Sequence, residues 1–263
     1  MEPLSTDLSI FKKFNFKNQP VGVKFEYGRP KDIKELDEKH PLCEMFKVAQ
    51  QKDHAFYFTK ENENCVGRLI MGMETYPAYV QSGVLGPKYG IFKTTTANKK
   101  IYEYIPTFDK GTVNYVVFAK LDQITFEPDL LVTMGTPEQA EIILRSMSWS
   151  TGVPWEAKAT SPLGCSWVYA YPIKSGKINY SITGLAFGMK AKHIFESGQI
   201  VISIPFNWIP VIAQNLNQMV WELPSYTEGR EAFEKRELQL MAELADEFKD
   251  EISSAGTDIY KKR

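Results

Sequence analysis

Sulfur and imidazole ligands are scarce in this chain, which has three cysteines and three histidines among 263 residues. The cysteines are Cys43, Cys65 and Cys165. They form no C-x-x-C pair, so the short zinc motifs are absent. The sequence also lacks a P-loop, a nucleophile elbow and a dinucleotide fingerprint. Motifs alone therefore leave the catalytic residues unknown.

Long apolar runs and an excess of either charge are also missing. No run approaches the roughly 20 apolar residues that a transmembrane helix needs, and the N-terminus has no basic region followed by an apolar one. The formal net charge is −1, which argues against nucleic acid and membrane surfaces as partners. We expect a cytoplasmic protein, in which an odd number of cysteines argues against a disulfide framework.

The hydrophobic periodicity predicts a mixed α/β fold of the α+β kind, a single domain with a mixed sheet flanked by helices and an amphipathic C-terminal helix. Residues 1–19 are expected to hold an N-terminal helix and residues 20–227 the α/β domain. Residues 228–263 are expected to hold the C-terminal helix and a polar tail beyond residue 252. Apolar residues at spacings of three and four in that helix predict packing on the domain or on a second copy, as in a homo-oligomer.

The clearest local structure is predicted over residues 126–140, FEPDLLVTMGTPEQA. A strand ends at Gly135, and Thr136, Pro137 and Gln139 form the signature of a capping box at the start of a helix. A strand, a turn and a helix start can bind an anion. Because this stretch lacks a Gly-rich loop, we interpret it as structural.

Several polar side chains are candidates for a site. Cys43 falls in the first turn of a predicted helix, where the helix dipole favours a thiolate. Lys24 lies in a predicted strand and Arg68 follows Cys65 by three residues, so both could face a ligand, although a solvated lysine or arginine is as common. Glu61 and Glu63 suggest a solvated turn. By spacing alone, three scattered cysteines are more often buried core residues than ligands.

The order of several short motifs along the chain favours a ligand role for the cysteines over a core role. Residues 20–25 read PVGVKF, Cys43 opens a helix that ends in an alanine, and Cys65 is followed by Gly67. The F-x-P-D and G-T-P-x-Q-A elements within residues 126–140 come next, then Cys165 and an Ile-Pro strand end at residues 204–205. In this order the landmarks resemble the domain-of-unknown-function family 169, found largely in anaerobic bacteria and archaea.

The resemblance implies that Cys43, Cys65 and Cys165 share one metal site. Many members of the family carry a fourth cysteine where this chain has Thr183, so three thiolates would leave an open coordination position. This implies an iron–sulfur cluster with a small-molecule ligand, and zinc is the second choice. Lys24, Arg68 and Thr183 would face that ligand. The alternatives are a metal-free small-molecule-binding module and a partner-binding subunit.

Overall fold

The computed structural model describes residues 1–249. The chain divides into two compact units, Met1–Met219 and Val220–Arg263. The predicted polar tail, which begins at residue 253, lies outside the described residues.

A seven-stranded mixed sheet runs through the first unit in the order β2-β3-β4-β1-β5-β7-β6. Its strands are β1 (Val21–Glu26), β2 (Lys34–Glu35), β3 (Phe56–Phe58), β4 (Tyr115–Lys120), β5 (Leu130–Gly135), β6 (Asn179–Ile182) and β7 (Ile200–Pro205). β2 and β3 pair in parallel and the other neighbours are antiparallel. The predicted α/β class with a mixed sheet is confirmed.

The sheet is built around β1, which pairs with β4 on one side and β5 on the other. Val21 and Val23 are fully buried, as expected for a strand that is covered by the rest of the domain. Helices α1 and α6 pack on this part of the sheet, α1 on β4 and β1 and α6 on β5.

The α-helices of the described residues are mostly short. They are α1 (Leu42–Gln51), α2 (Gly67–Ile70), α3 (Ala78–Gln81), α4 (Leu85–Lys88), α5 (Thr95–Ile101), α6 (Pro137–Trp149), α7 (Tyr171–Ser175), α8 (Phe187–Ala191), α9 (Ile209–Gln218), α10 (Pro224–Thr227) and α11 (Arg230–Glu247). A π-helical segment, Ser166–Ala170, leads directly into α7. Over residues 1–249 we find no helix that combines the length and the apolar character needed to cross a bilayer.

The structure confirms the capping box at α6. Thr136 Oγ1 accepts from Gln139 N (3.3 Å) and Gln139 Oε1 accepts from Thr136 N (3.0 Å). Gln139 Nε2 also donates to the carbonyl of Phe14 (2.8 Å). Asp129 Oδ2 accepts from Phe25 N (2.8 Å) and so joins the start of β5 to β1. These contacts give the landmark residues 126–140 a structural role, as predicted.

The N-terminal helix is shorter and tighter than the sequence suggests. It is a 3₁₀-helix, Ser9–Phe14, that ends where Asn15 takes a left-handed conformation with φ of 49°. Ile10, Phe11 and Phe14 are buried. The burial of these three side chains therefore anchors the short 3₁₀-helix on the first unit. A longer amphipathic helix is not formed there.

The second unit contains α10 and α11. Ion pairs of Arg230 with Glu234 and of Arg236 with Glu228 lie along it, and Arg236 also stacks on Phe233. No residue of α11 is buried.

Candidate functional site

Cys43 lies in the first turn of α1, as predicted from the proline that precedes it. Pro41 is extended (ψ 147°) and the helix begins at Leu42. The expectation that this position favours a thiolate is wrong for the metal-free protein. Burial, with a further contribution from the charge of Cys65, raises the pKa of the Cys43 thiol to about 12.

Glu63 occupies the helix start beside Cys43. Its Oε1 accepts from Leu42 N (2.9 Å), so the carboxylate lies at the N-terminus of α1, where the helix dipole favours a negative charge. Burial is the largest cause of the raised pKa of Cys43, and the negative charge of Glu63 is a smaller one.

The same carboxylate also fixes the turn that carries Cys65. Glu63 Oε2 accepts from Cys65 N (2.9 Å) and from Arg68 N (3.3 Å). Glu63 is 1% exposed, so its predicted place in a solvated turn is wrong, whereas Glu61 is exposed. A Cβ atom on Gly67 would lie 2.3 Å from Leu42 Cβ and 2.6 Å from Glu63 Oε1. Only glycine lets these turns come so close.

Cys165 lies about a hundred residues after Cys65, directly before the π-helical segment. π-Helical turns are often found at functional sites. Two residues earlier Leu163 has φ of 60°, which is an uncommon conformation for a bulky side chain. A Cβ atom on the intervening Gly164 would lie 2.6 Å from Ala186 Cβ. This close contact brings Cys165 beside the start of α8.

The three thiols lie within range of one another's charge. Burial raises the pKa of Cys165 well above its usual value, and the charges of Cys43, Glu63 and Cys65 raise it further. All three cysteines are free thiols. Within residues 1–249, no group of three or more Cys, His, Asp or Glu side chains is arranged to hold a metal ion.

Lys192, immediately after α8, supplies a positive charge to this cluster. Burial alone would lower the pKa of Lys192, but the charges of Cys65, Cys43 and Glu63 raise it. Lys192 remains exposed, so it lies where the cluster meets solvent. Local sequence patterns could not identify this lysine, because Lys192 and Cys65 are more than a hundred residues apart in the chain.

Two tyrosines complete the surroundings of the thiols. Tyr169 is 1% exposed, and burial and the charges of Cys43 and Cys165 raise its pKa. Burial, followed by the charge of Cys165, raises the pKa of Tyr76. The hydroxyl oxygen of Tyr76 is buried and has no hydrogen-bond partner.

The three other candidate residues have partners of their own. Lys24 Nζ donates to the carbonyl of Glu127 (2.9 Å) and to Asp129 Oδ1 (3.2 Å). This contact joins β1 to the start of β5.

Arg68 lies close to the cluster in sequence, but its side chain supports the turn. It forms an ion pair with Glu74, and its Nη1 donates to the carbonyl of Glu63 (3.1 Å). Thr183 is buried, donates to the carbonyl of Glu196 and accepts from Gln199 N (3.0 Å). These contacts link the end of β6 to the segment before β7.

Comparison with known proteins gives a family and an archaeal relative. A profile of the domain-of-unknown-function family 169, described as uncharacterised ArCR, matches residues 9–215. The chain is also 30% identical over 130 residues to the uncharacterized protein MJ0308 of Methanocaldococcus jannaschii, a match that covers 49% of this chain and 55% of the relative. The chain thus spans about half the length of that relative. No solved structure matches it significantly. Since the profile covers most of the chain, the protein belongs to the domain-of-unknown-function family 169.

Proposed function

We propose that Cys43, Cys65 and Cys165 hold a metal centre, an iron–sulfur cluster, with an open position for a small-molecule ligand. The proximity of the three cysteines carries this proposal: Glu63 bonds the backbone of both Leu42, next to Cys43, and Cys65, and Cys43 packs on the core cluster that contains Cys165. Segments about 100 residues apart in sequence bring these thiols into one neighbourhood. Thiolates are the ligands that iron–sulfur clusters and zinc prefer.

The ionisation of the thiols would change when metal binds. In the metal-free protein, burial raises the pKa of Cys43 and Cys165, so these thiols are protonated. A metal would displace the protons of its thiol ligands, and its positive charge would compensate the thiolates.

A cluster is our first choice of occupant, because three thiolate ligands with an open position suit an iron–sulfur centre. Zinc remains the second choice.

The fourth position would be open, because Thr183 does not offer a ligand. Its hydroxyl is bonded to the carbonyl of Glu196 and to Gln199 N. An iron without a protein ligand can bind a small molecule and act as a Lewis acid or in electron transfer. We infer redox or lyase-type chemistry on a small metabolite in the cytoplasm of an anaerobe.

Single substitutions of each cysteine by serine test the ligand set. Each of Cys43→Ser, Cys65→Ser and Cys165→Ser should lower bound iron and acid-labile sulfide at least severalfold in protein purified without oxygen. Ser146→Ala is the matched control, because it alters a fully buried side chain on α6 and should keep its metal. If the three variants lose only stability, each by a different amount and with no change in metal content, the metal-free binding module is the better account.

A further inference from the structure

A cleft with a volume of about 440 Å³ lies at the end of the sheet where β2, β3 and β4 pair. Charged side chains of both signs line it, namely Arg29, Lys60, Glu35 and Glu61. Small-molecule sites usually have volumes of about 300–1,000 Å³, so the cleft has room for a ligand. Among residues 1–249 no cysteine lines it, so a molecule bound there would be separate from the proposed metal centre.

Tyr57 is a buried wall residue of this cleft, with 1% of its surface exposed. Side chains alternate between the two faces of a strand, so Tyr57 lies on the opposite face of β3 from Phe56 and Phe58. Those two phenylalanines belong to the core cluster that contains Cys165. Tyr57 therefore points away from the cysteines and into the cleft.

The hydroxyl of Tyr57 joins a cation to an anion. Arg29 Nε donates to this hydroxyl (2.8 Å), and the hydroxyl donates to Glu35 Oε2 (3.2 Å). Glu35 can reach it because Glu35 and Tyr57 lie directly opposite each other in the β2–β3 pair. The guanidinium and the carboxylate are therefore held on either side of one oxygen atom.

The backbone that carries Arg29 is anchored beside the cleft. Asn114 N donates to the carbonyl of Glu26 (3.0 Å), and Asn114 Nδ2 donates to the carbonyl of Tyr27 (2.9 Å). These bonds hold the chain just before Arg29. A site that is positioned before its ligand arrives loses less entropy on binding.

Arg29 and Glu35 both keep atoms that a ligand can bind. The bond to Tyr57 uses Arg29 Nε, and the terminal Nη1 and Nη2 groups form no hydrogen bond with any of residues 1–249. Within the same residues Glu35 Oε1 accepts no hydrogen bond. A terminal guanidinium fork matches a carboxylate, and a free carboxylate oxygen can accept from an ammonium group.

The charges that line the cleft balance, since two side chains are cationic and two are anionic. A ligand with a single charge would match only one of the two signs, whereas a zwitterion matches both. Met73 and Tyr115 add apolar surface to the lining. The ring of Tyr115 packs edge-on against the ring of Tyr57, with 5.5 Å between their centroids.

We propose that this cleft binds a free α-amino acid with an apolar side chain. Arg29 binds its carboxylate through the two terminal nitrogens, and Glu35 accepts from its ammonium group. The apolar side chain of the ligand packs against Met73 and Tyr115.

Calorimetric titration of the full chain with L-leucine tests the inference. Two probes each lack one charge of leucine: 4-methylpentanoate has no ammonium group, and 3-methylbutylamine has no carboxylate. Leucine should bind at least tenfold more tightly than either probe. Arg29→Met and Glu35→Gln should each weaken leucine binding at least tenfold, because each removes a charge-assisted hydrogen bond. Lys34→Met and Asp37→Asn alter exposed residues outside the cleft and should leave binding unchanged.

The probes separate direct contact from a general change in structure. In Arg29→Met, leucine should lose its advantage over 3-methylbutylamine and keep its advantage over 4-methylpentanoate. The reverse should hold in Glu35→Gln. Both side chains are exposed, so the circular dichroism of the two variants should match that of the wild type.

The inference would be overturned if leucine did not bind or bound no more tightly than the two probes. Equal leucine affinity in the wild type and in both site variants would also overturn it. Because no cysteine among residues 1–249 lines the cleft, Cys165→Ser should bind leucine as tightly as the wild type. Leucine binding and metal content are therefore measured independently, and either proposal can fail while the other holds.

Discussion

Glu63 is the residue on which the geometry of the site depends most. One carboxylate accepts from Leu42 N at the start of α1 and from the backbone of the turn that carries Cys65. Because Cys43 follows Leu42 directly, Glu63 fixes two of the three cysteines relative to each other. Its position cannot be deduced from its neighbours in sequence, since its partner Leu42 is 21 residues away.

Replacing Glu63 by glutamine should destabilise the protein by about 2–4 kcal/mol, because a neutral amide is a weaker acceptor and its NH₂ group would face backbone N–H groups. Urea denaturation measures this loss. Glu61→Gln is the matched control and should change stability by less than about 0.5 kcal/mol, because Glu61 is exposed. Equal effects of the two substitutions would contradict the role given to Glu63.

Local signals identified part of the site. The proline before Leu42 placed Cys43 in the first turn of a helix, and the structure agrees. The sequence could not show that Glu63 bonds the N-terminus of that helix, because this contact depends on packing between distant segments, which local patterns do not encode. Burial then reversed the expected ionisation of Cys43.

At the scale of elements, the turn from β5 to α6 was predicted from sequence because its signals are local. Thr136, Pro137 and Gln139 lie within four residues and specify the capping box without distant partners. The order of the sheet strands was not predictable in this way. β1 pairs with β4 and β5, which follow it by about a hundred residues, and such pairings are decided by packing of the whole domain.

Substitutions in the capping box should be coupled. Thr136→Ala should cost about 1 kcal/mol of stability, a typical value for loss of an N-cap. Gln139→Ala should cost more than that, because Gln139 also bonds the carbonyl of Phe14. The double variant should lose less than the sum, since the two side chains share the same contacts. If urea denaturation shows that the loss of unfolding free energy in the double variant equals the sum of the two single losses, Thr136 and Gln139 do not act together as a cap.

The N-terminal segment should loosen in acid because Glu127 holds it. Burial would raise the pKa of Glu127, but hydrogen bonds from Ser5 and Thr6 outweigh burial and lower it. A carboxyl with a lowered folded pKa contributes stability above its ordinary value of 4.5, and that contribution is lost as the pH falls through the folded value.

Hydrogen exchange of the amides of residues 4–6 measures this effect. We expect their protection to fall as the pH drops from 5 to 3, after correction for the intrinsic exchange rate, and Glu127→Gln should abolish the pH dependence. Unchanged protection of the wild type across this range would contradict the role of Glu127.

At the scale of the whole molecule, the two units differ in how they bury apolar residues. The first unit contains the sheet and its core, with Met219 as its last buried apolar residue. In the second unit Leu240, Met241, Leu244 and Phe248 are exposed. Exposed apolar residues at spacings of three and four suit contact with another helix, so a homo-oligomer through α11 remains our prediction.

A chain that ends at Met219 should fold, because it keeps the sheet and the three cysteines. We expect it to be monomeric, while the full chain forms a larger species. Light scattering coupled to size-exclusion chromatography compares the two masses, and circular dichroism checks that the short chain is folded. The same number of copies in both would contradict a role of α11 in assembly.

The most direct measurement of the central claim is the visible spectrum of the full chain, purified without oxygen, together with its iron, sulfide and zinc content. The account predicts a brown protein with broad absorption near roughly 400 nm, characteristic of thiolate-bound iron–sulfur clusters, and with iron and sulfide in comparable amounts. Zinc without sulfide would indicate that the three cysteines bind zinc, our second choice, and not an iron–sulfur cluster. A colourless protein without iron, sulfide or zinc would contradict the metal centre and leave Cys43, Cys65 and Cys165 as buried thiols.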